Sequence, residues 1–213
     1  MSMETKRFEV GALSTNCYVT FCQKSKEGAI IDPGFEGPAE TDLIFSYIEK
    51  KELKPKLIID THGHPDHVCG NEIVKKKFSV PIAIHEADAF MLGETGKKVA
   101  DFFGFNHTSP SADILLYDGN VLKIGEIALR VIHTPGHSTG SIVLAGEEEI
   151  FSGDTLFEGS IGRTDFPWSS EADMMISLKK LSCFPDNFVV YPGHGLVTTM
   201  GQEKRLNPFL QQI

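Results

Sequence analysis

The chain has 213 residues, of which 41% are hydrophobic and 23% charged, the composition of a globular protein that can bury a sizeable core. Its formal net charge of −9 disfavours nucleic acid as a partner, because phosphate binding needs clustered Lys and Arg. No apolar run approaches the roughly 18 residues that span a membrane, and Met1–Arg7 lacks the apolar core of a signal peptide. The four cysteines show no C-x-x-C pair. We therefore expect a cytoplasmic protein with reduced thiols.

The hydrophobic pattern predicts alternating strands and helices, and a single domain over residues 1–213 is the simplest organisation. Arg7–Ile31 predicts a β-meander with strands at Asn16–Phe21 and Ala29–Ile31, and Ala39–Glu52 predicts a helix. Further strands are predicted at Leu57–Asp60, Val80–Ile84, Val121–Ile124, Ile127–Ile132, Ser141–Ala145, Glu149–Ser152 and Phe188–Tyr191. Further helices are predicted at Asn71–Phe78, Glu86–Leu92, Glu171–Leu181 and within Gly201–Ile213. Gly93–Ser111 is interpreted as a helix end followed by a loop.

Four side chains that can bind a metal ion crowd into six consecutive residues: His62, His64, Asp66 and His67. Imidazole nitrogen and carboxylate oxygen are ligands that Zn²⁺ and Fe²⁺ accept readily. The stretch lies between a predicted strand and a predicted helix, and Pro65 biases His64 away from helical geometry. In an extended loop His62, His64 and Asp66 point to one side, whereas the turn into the helix swings His67 to a different angle. One loop can therefore serve two neighbouring metal positions.

Three further ligand candidates follow other predicted strands in the same way. His137, Asp154 and His194 each lie in a turn containing Gly or Pro, directly after an apolar strand. Binding residues collect where loops leave neighbouring strand ends, and glycine lets the backbone approach a crowded centre. Because the context is the same at all three positions, we expect these side chains to join the first four.

The remaining candidates are assigned structural roles or left open. His85 and His133 do not end a strand in a glycine-rich turn and are interpreted as ordinary structural residues. Cys69 is interpreted as a small buried thiol beneath the ligand loop. Asp32, in the turn after the meander, is expected to cap backbone amides. His107 lies in a loop that could reach the site, and the sequence leaves its role open.

The order of these ligand candidates resembles the metallo-β-lactamase superfamily. Thr134–Ser141, Gly153–Phe157 and Pro192–Gly195 are similar to the corresponding motifs of the glyoxalase II-like hydrolases. Gly159–Phe166 resembles the short, single-domain members of that group and also a segment of the persulfide dioxygenases. The resemblance implies an α/β (α+β) fold, a four-layer αββα sandwich of two mixed sheets with helices outside.

The resemblance also implies two divalent metal ions, zinc above all, with iron and manganese as alternatives. It assigns His62, His64 and His137 to the first ion, Asp66, His67 and His194 to the second, and Asp154 to a bridge between them. The implied reaction is hydrolysis of a small acyl or thioester substrate of the hydroxyacylglutathione type by water shared between the ions. Asp66 is a secondary candidate for accepting a proton from that water. Arg163 is a candidate either for binding a substrate carboxylate or for bracing its loop by pairing with Asp165.

Three alternatives remain at this stage. One is another hydrolytic specificity, such as cleavage of a lactone, a phosphoester or a β-lactam. A persulfide dioxygenase would hold a single Fe(II) through His62, His137 and Asp154, since two histidines and a carboxylate are the ligand set of non-haem iron oxygenases. A non-catalytic binding fold is disfavoured because the ligand positions are all filled. True glyoxalase II has an added C-terminal helical region that clamps glutathione, whereas only about nineteen residues follow His194 here. The thiol part of the substrate therefore stays open. The sequence also leaves the oligomeric state open.

Overall fold

Two six-stranded sheets form the centre of the computed structural model, which describes residues 3–105 and 109–213. The first sheet has the order β1-β2-β3-β4-β5-β6, with antiparallel pairing among the first three strands and parallel pairing from β3 onwards. Its strands are β1 (Met3–Val10), β2 (Thr15–Cys22), β3 (Glu27–Ile31), β4 (Lys54–Ile59), β5 (Ile82–His85) and β6 (Ile114–Leu116). His107 lies outside the described residues, so its role stays as open as the sequence leaves it.

The second sheet has the order β12-β11-β10-β9-β8-β7. Its strands are β7 (Val121–Ile124), β8 (Ile127–His133), β9 (Ile142–Ala145), β10 (Glu149–Gly153), β11 (Val189–Pro192) and β12 (Thr198–Thr199). β8, β9 and β10 pair antiparallel in succession, and β10 pairs parallel with β11. β8, β10 and β11 therefore run in the same direction, and their C-terminal ends lie at one edge of the sheet.

Successive side chains of the central strands enter two different cores, because side chains alternate between the faces of a strand. In β2, Val19 and Phe21 pack beneath the helices of the first sheet, whereas Tyr18 packs between the two sheets. In β9, Leu144 joins the core between the sheets and Val143 joins the core on the outer face of the second sheet. Strands buried on both faces explain the nearly continuous apolar runs in the sequence.

Helices cover both outer faces, which confirms the predicted αββα arrangement. The helices are α1 (Pro38–Lys50), α2 (Pro65–Val68), α3 (Asn71–Phe78), α4 (Gly93–Phe103), α5 (Glu171–Ser182) and α6 (Met200–Leu206), with 3-10 helices at Glu86–Met91 and Leu210–Gln212. Ile44 of α1 and Val74 of α3 pack on the first sheet, and Met174 and Leu178 of α5 pack on the second. Among the described residues, no helix combines the length and the apolar character needed to cross a bilayer.

The structure corrects the interpretation of Gly93–Ser111, because its first part forms α4, a helix of 11 residues. Glycine disfavours helices, and this composition concealed the element. Gly96 is nevertheless suited to its place, since a Cβ there would overlap the carbonyl group of Met91. Tertiary packing therefore outweighs the local preference. The helix predicted at Glu86–Leu92 is also corrected, to the 3-10 helix Glu86–Met91.

Candidate metal centre

The seven predicted ligands meet at the edge where β4, β8, β10 and β11 end. The ligand loop leaves β4 and enters α2, in which Pro65 occupies the first position and His64 keeps an extended backbone with ψ of 143°. The two sheets are joined here by main-chain hydrogen bonds. Ile142 N–H donates to the Thr61 carbonyl at 2.9 Å, and Asn16 N–H donates to the Gly193 carbonyl at 2.7 Å. The relative position of the sheets thus sets the geometry of the cluster.

The ligand atoms form overlapping groups of three, within each of which the atoms lie no more than 4.8 Å apart. The groups are His62, His64 and His137; Asp66, His67 and His194; and His62, His67 and Asp154. The Asp154 carboxylate lies between the first two groups. Its Oδ2 atom is 3.4 Å from His137 Nε2 and 3.6 Å from His194 Nε2, and its Oδ1 atom is 3.5 Å from His67 Nε2. The arrangement can accommodate two neighbouring cations.

Two of the ligand atoms are buried without a hydrogen-bond partner in the described part of the chain, namely His62 Nε2 and Asp154 Oδ1. Leaving a buried polar atom unpaired costs about 1–3 kcal/mol. In addition, His67 Nε2 lies 3.2 Å from His194 Nε2, and His64 Nδ1 lies 2.9 Å from His137 Nε2. Facing nitrogens at these distances need a proton or a cation between them. The donor set therefore fits divalent metal ions, which would satisfy all these atoms together.

Most of the histidines are oriented through the other ring nitrogen, Nδ1. The Nδ1–H groups of His62, His137 and His194 donate to Thr61 Oγ1, the Arg163 carbonyl and the Leu13 carbonyl at 3.2, 2.9 and 3.1 Å. His67 Nδ1–H donates to Asp32 Oδ2 at 3.0 Å. These contacts select the tautomer with a free Nε2 lone pair, which is the form that a metal ion requires.

Asp32 orients the ring of His67 in addition to capping a backbone amide as predicted. Its carboxylate accepts hydrogen bonds from the Thr61 amide and hydroxyl groups, each at 2.7 Å, and from His67. The expectation that Asp32 caps backbone amides is therefore confirmed for Thr61, whereas its contact with His67 had no signal in the sequence.

The surroundings shift the pKa of His62 and His64 in one direction and the pKa of His67 in the other. Burial lowers the pKa of His62 well below its usual value and lowers that of His64 to about 3, so both remain neutral. Burial alone would also lower the pKa of His67, but the carboxylates of Asp66, Asp154 and Asp32 raise it to about 10. Without a cation the negative charge of the second group thus attracts a proton to His67, and a metal ion must displace that proton.

Asp88 connects two ligand loops and was missed by the sequence analysis. It is fully buried in the 3-10 helix Glu86–Met91. Its Oδ1 atom accepts from Gly140 N–H at 2.6 Å and Thr139 Oγ1 at 3.2 Å, and its Oδ2 atom accepts from Gly63 N–H at 3.0 Å and Ser138 Oγ at 2.6 Å. Gly63 lies between His62 and His64, and Ser138 follows His137, so this one carboxylate fixes the distance between the loops that carry the first group.

The close packing of the ligand side chains also explains why residue 193, next to His194, is a glycine. A Cβ on Gly193 would overlap Asp154 Oδ1 and would lie 2.9 Å from His67 Cε1. A side chain at this position would therefore enter the space between the two ligand groups. Glycine is required here by the close packing of ligands, not by a positive φ angle.

A cavity of about 480 Å³ opens over the cluster. The predicted ligands that line it are His64, Asp66, His137, Asp154 and His194. Arg163 also lines it, but its guanidinium group donates to both carboxylate oxygens of Asp165 at 2.7 and 2.8 Å. This is the pairing expected of a loop brace. The apolar walls come from Leu13, Phe103, Phe105, Phe157, Ile161 and Phe166.

Three residues that the sequence analysis set aside, His85, His133 and Cys69, have structural surroundings. The rings of His85 and His133 stack with their centroids 4.0 Å apart, and His85 Nδ1 accepts from Ala87 N–H at the start of the 3-10 helix. Cys69 is buried beneath the ligand loop, as expected. The interpretation of these three residues as structural agrees with these contacts.

Comparison with known proteins gives a consistent result. The family described as the metallo-beta-lactamase superfamily matches residues 10–194. The chain is similar to hydroxyacylglutathione hydrolase GloC of Haemophilus influenzae, with 37% identity over 218 residues and 98% of each chain covered. Two solved structures resemble it: BLEG-1 B3 metallo-beta-lactamase (TM-score 0.88, 34% identity, 97% of this chain and 99% of that one) and TTHA1623 in a di-iron-bound form (TM-score 0.84, 32% identity, 96% and 100%). A family match across most of the chain, on this fold and with this cluster of histidines and aspartates, shows that the protein belongs to the metallo-β-lactamase superfamily.

Proposed function

We propose that this protein is a metal-dependent hydrolase that cleaves thioesters at a centre of two divalent ions, zinc by preference. The observation that carries the proposal is the set of ligand atoms that cations would satisfy. His62 Nε2 and Asp154 Oδ1 are buried without partners, and His64 Nδ1 faces His137 Nε2 at 2.9 Å. The relative GloC, named a hydroxyacylglutathione hydrolase, supports a thioester as the substrate class. TTHA1623 in its di-iron-bound form supports iron as the alternative metal.

The proposed ligand assignment follows the two groups of three. His62, His64 and His137 would hold one ion, Asp66, His67 and His194 would hold the other, and the Asp154 carboxylate, which lies between the two groups, would contribute to both. Two divalent ions held there would supply a water of lowered pKa and would polarise the carbonyl group of the substrate.

The protein's own residues orient the ligands and define where a proton can go. Asp66 lines the cavity, and its Oδ2 accepts a hydrogen bond from Thr15 Oγ1 at 3.1 Å. Burial alone would raise the pKa of Asp66, but His67 and His194 hold it below its usual range. The carboxylate is therefore a weak base, and we assign it first as a ligand and second as the acceptor of a proton from water. A thiolate leaves readily from an acyl carbon, so no separate general acid is needed.

The test combines metal analysis of purified protein with two assays, one of S-lactoylglutathione hydrolysis and one of oxygen uptake with glutathione persulfide. We expect two metal ions per chain, hydrolysis, and no oxygen uptake. Asp154→Ala should lower the metal content and abolish hydrolysis, whereas Asp101→Ala, a change at an exposed helical position, should alter neither. Unchanged metal stoichiometry in Asp154→Ala would contradict the bridging assignment.

The competing persulfide dioxygenase makes the opposite prediction. It would show one iron per chain, held by His62, His137 and Asp154, together with rapid oxygen uptake. That result would overturn the hydrolase proposal, because the centre would then hold a single redox-active ion in place of two divalent ions.

A further inference from the structure

The cavity over the ligand cluster has an aromatic wall on the side of His64. The rings of Phe103 and Phe166 meet edge to face with their centroids 4.9 Å apart. Both contact the His64 ring, at centroid distances of 4.9 Å for Phe103 and 5.7 Å for Phe166. A flat apolar group can pack against such a pair with favourable edge and face contacts. This wall lies directly beside the proposed reaction centre.

The part of the cavity lining beside His194 is also apolar, and it includes an exposed residue. Phe157 stands edge-on to His194 with the ring centroids 6.0 Å apart, and Leu13 beside it is 57% exposed. The side beside His64, where two aromatic rings meet, therefore suits the group that must be held against the ligands, and the side with the exposed Leu13 suits the part of the substrate that leaves.

Charge recognition contributes little in the described lining of this cavity. Arg163 is the one Lys or Arg residue there. Its guanidinium group is paired with both oxygens of Asp165 and stacks on Phe166, with the guanidinium carbon 3.9 Å from the ring centroid. Because this pair is exposed, a substrate anion that displaced Asp165 would replace one solvent-screened contact by another, and the net gain in affinity would be small.

We propose, on the basis of the thioester hydrolase function above, that the preferred substrates carry a flat, apolar acyl side chain that packs against Phe103 and Phe166. In the reaction, water adds a hydroxyl group to the acyl carbon, the carbon–sulfur bond breaks, and the sulfur leaves as a thiolate that is protonated from water. The acyl group, not the anionic groups of the thiol, then determines specificity.

The test uses two glutathione thioesters that differ in one group, S-mandeloylglutathione with a phenyl group and S-lactoylglutathione with a methyl group. We expect kcat/KM to be about tenfold higher for the mandeloyl compound, which is the discrimination that an apolar pocket can supply. Binding of the products to the metal-loaded protein gives a second measurement, and by calorimetry mandelate should bind about tenfold more tightly than lactate.

Variants locate the preference on the proposed wall. Phe103→Ala and, separately, Phe166→Ala should bring both ratios close to one. Two variants are used because Phe103 also packs against the core of the first sheet and its loss could affect folding. Phe90→Ala is the control, since Phe90 is a partly exposed phenylalanine that contacts Trp168 and does not line the cavity; it should leave both ratios unchanged.

The outcomes separate this inference from the function on which it rests. If both thioesters are hydrolysed with equal kcat/KM, or if neither wall variant alters the ratio, the acyl preference is wrong and the hydrolase proposal stands. If neither thioester is hydrolysed, the hydrolase proposal fails. The binding of mandelate against lactate then still decides whether the aromatic wall selects apolar groups.

Discussion

Replacing Asp88 by Asn should weaken both folding and metal binding, although Asp88 is not a proposed ligand. Each carboxylate oxygen accepts one backbone N–H, from Gly140 or Gly63, and one hydroxyl group. In the variant an amide NH₂ replaces one oxygen, so one of the two backbone N–H groups must lose its acceptor in either orientation. The hydroxyl groups can rotate, but the backbone cannot. An unpaired buried donor costs about 1–3 kcal/mol.

Burial raises the pKa of Asp88 in spite of its four donors, so removing the charge returns part of its desolvation cost. We therefore expect a loss of stability in the lower part of the range, visible as a decrease in Tm of about 2–4 °C for each kcal/mol in a protein of this size. Thermal unfolding in EDTA measures this loss without metal, and competition with a chelator measures the metal affinity. A displacement of the His62–His64 loop from the His137 loop that costs about 1.4 kcal/mol would weaken metal binding tenfold.

The exposed Asp42 provides the matched control, because Asp42→Asn removes the same charge from the surface of α1. Unchanged metal affinity in Asp88→Asn, with Tm equal to that of Asp42→Asn, would refute the inference that Asp88 fixes the distance between the two loops.

Two other substitutions test the local packing and the pH dependence. Gly193→Ala should lower metal affinity at least tenfold in the same chelator competition, because its Cβ would overlap Asp154 Oδ1; Gly37→Ala, whose Cβ would have 4.0 Å of clearance from Glu40, should not. Burial and the neighbouring His133 lower the pKa of His85 to about 4. The unfolded chain, in which this pKa is about 6.5, therefore binds more protons between pH 6.5 and 4, and stability falls as the pH falls through that window. His85→Asn, which keeps a cap for Ala87 N–H, should make urea midpoints at pH 7 and pH 5 differ less than in the wild type; an equal difference would exclude this role.

Much of the fold and all seven candidate ligands could be predicted because their signals are local. The β9–β10 hairpin follows from two apolar runs on either side of a turn at Gly146–Glu148, and β10 ends at a glycine that precedes Asp154. A strand followed by a turn containing His or Asp is visible within about ten residues. The sequence also predicts that such turns gather at one edge, since strand ends are shared by a whole sheet.

The residues that the sequence did not reveal act over long distances. Asp88 contacts Ser138 and Gly140, 50 and 52 positions away, and nothing beside Asp88 in the chain marks it as a linker of loops. Phe103 belongs to a helix that its glycines concealed, and it reaches His64 only because α4 packs near the ligand loop. Periodicity reports which face of an element is buried but not which distant loop meets it, so side chains that position a ligand stay hidden until the elements are assembled.

The cluster also couples metal binding to the packing of the two sheets. The first loop extends from the first sheet, whereas His137, Asp154 and His194 extend from the second, so any cation that contacts both sets requires the sheets to be held in register. That register is set by the core between the sheets, where Tyr18 meets Phe151 with ring centroids 5.4 Å apart, and by Tyr18 Oη, which donates to the Pro192 carbonyl at 2.6 Å close to His194. By linkage, an ion that binds only the aligned state stabilises it by RT ln(1 + [L]/Kd). Substitutions of core residues remote from the ligands should therefore change metal affinity whenever they shift one sheet against the other. The packing of the core between the sheets thus contributes to metal binding.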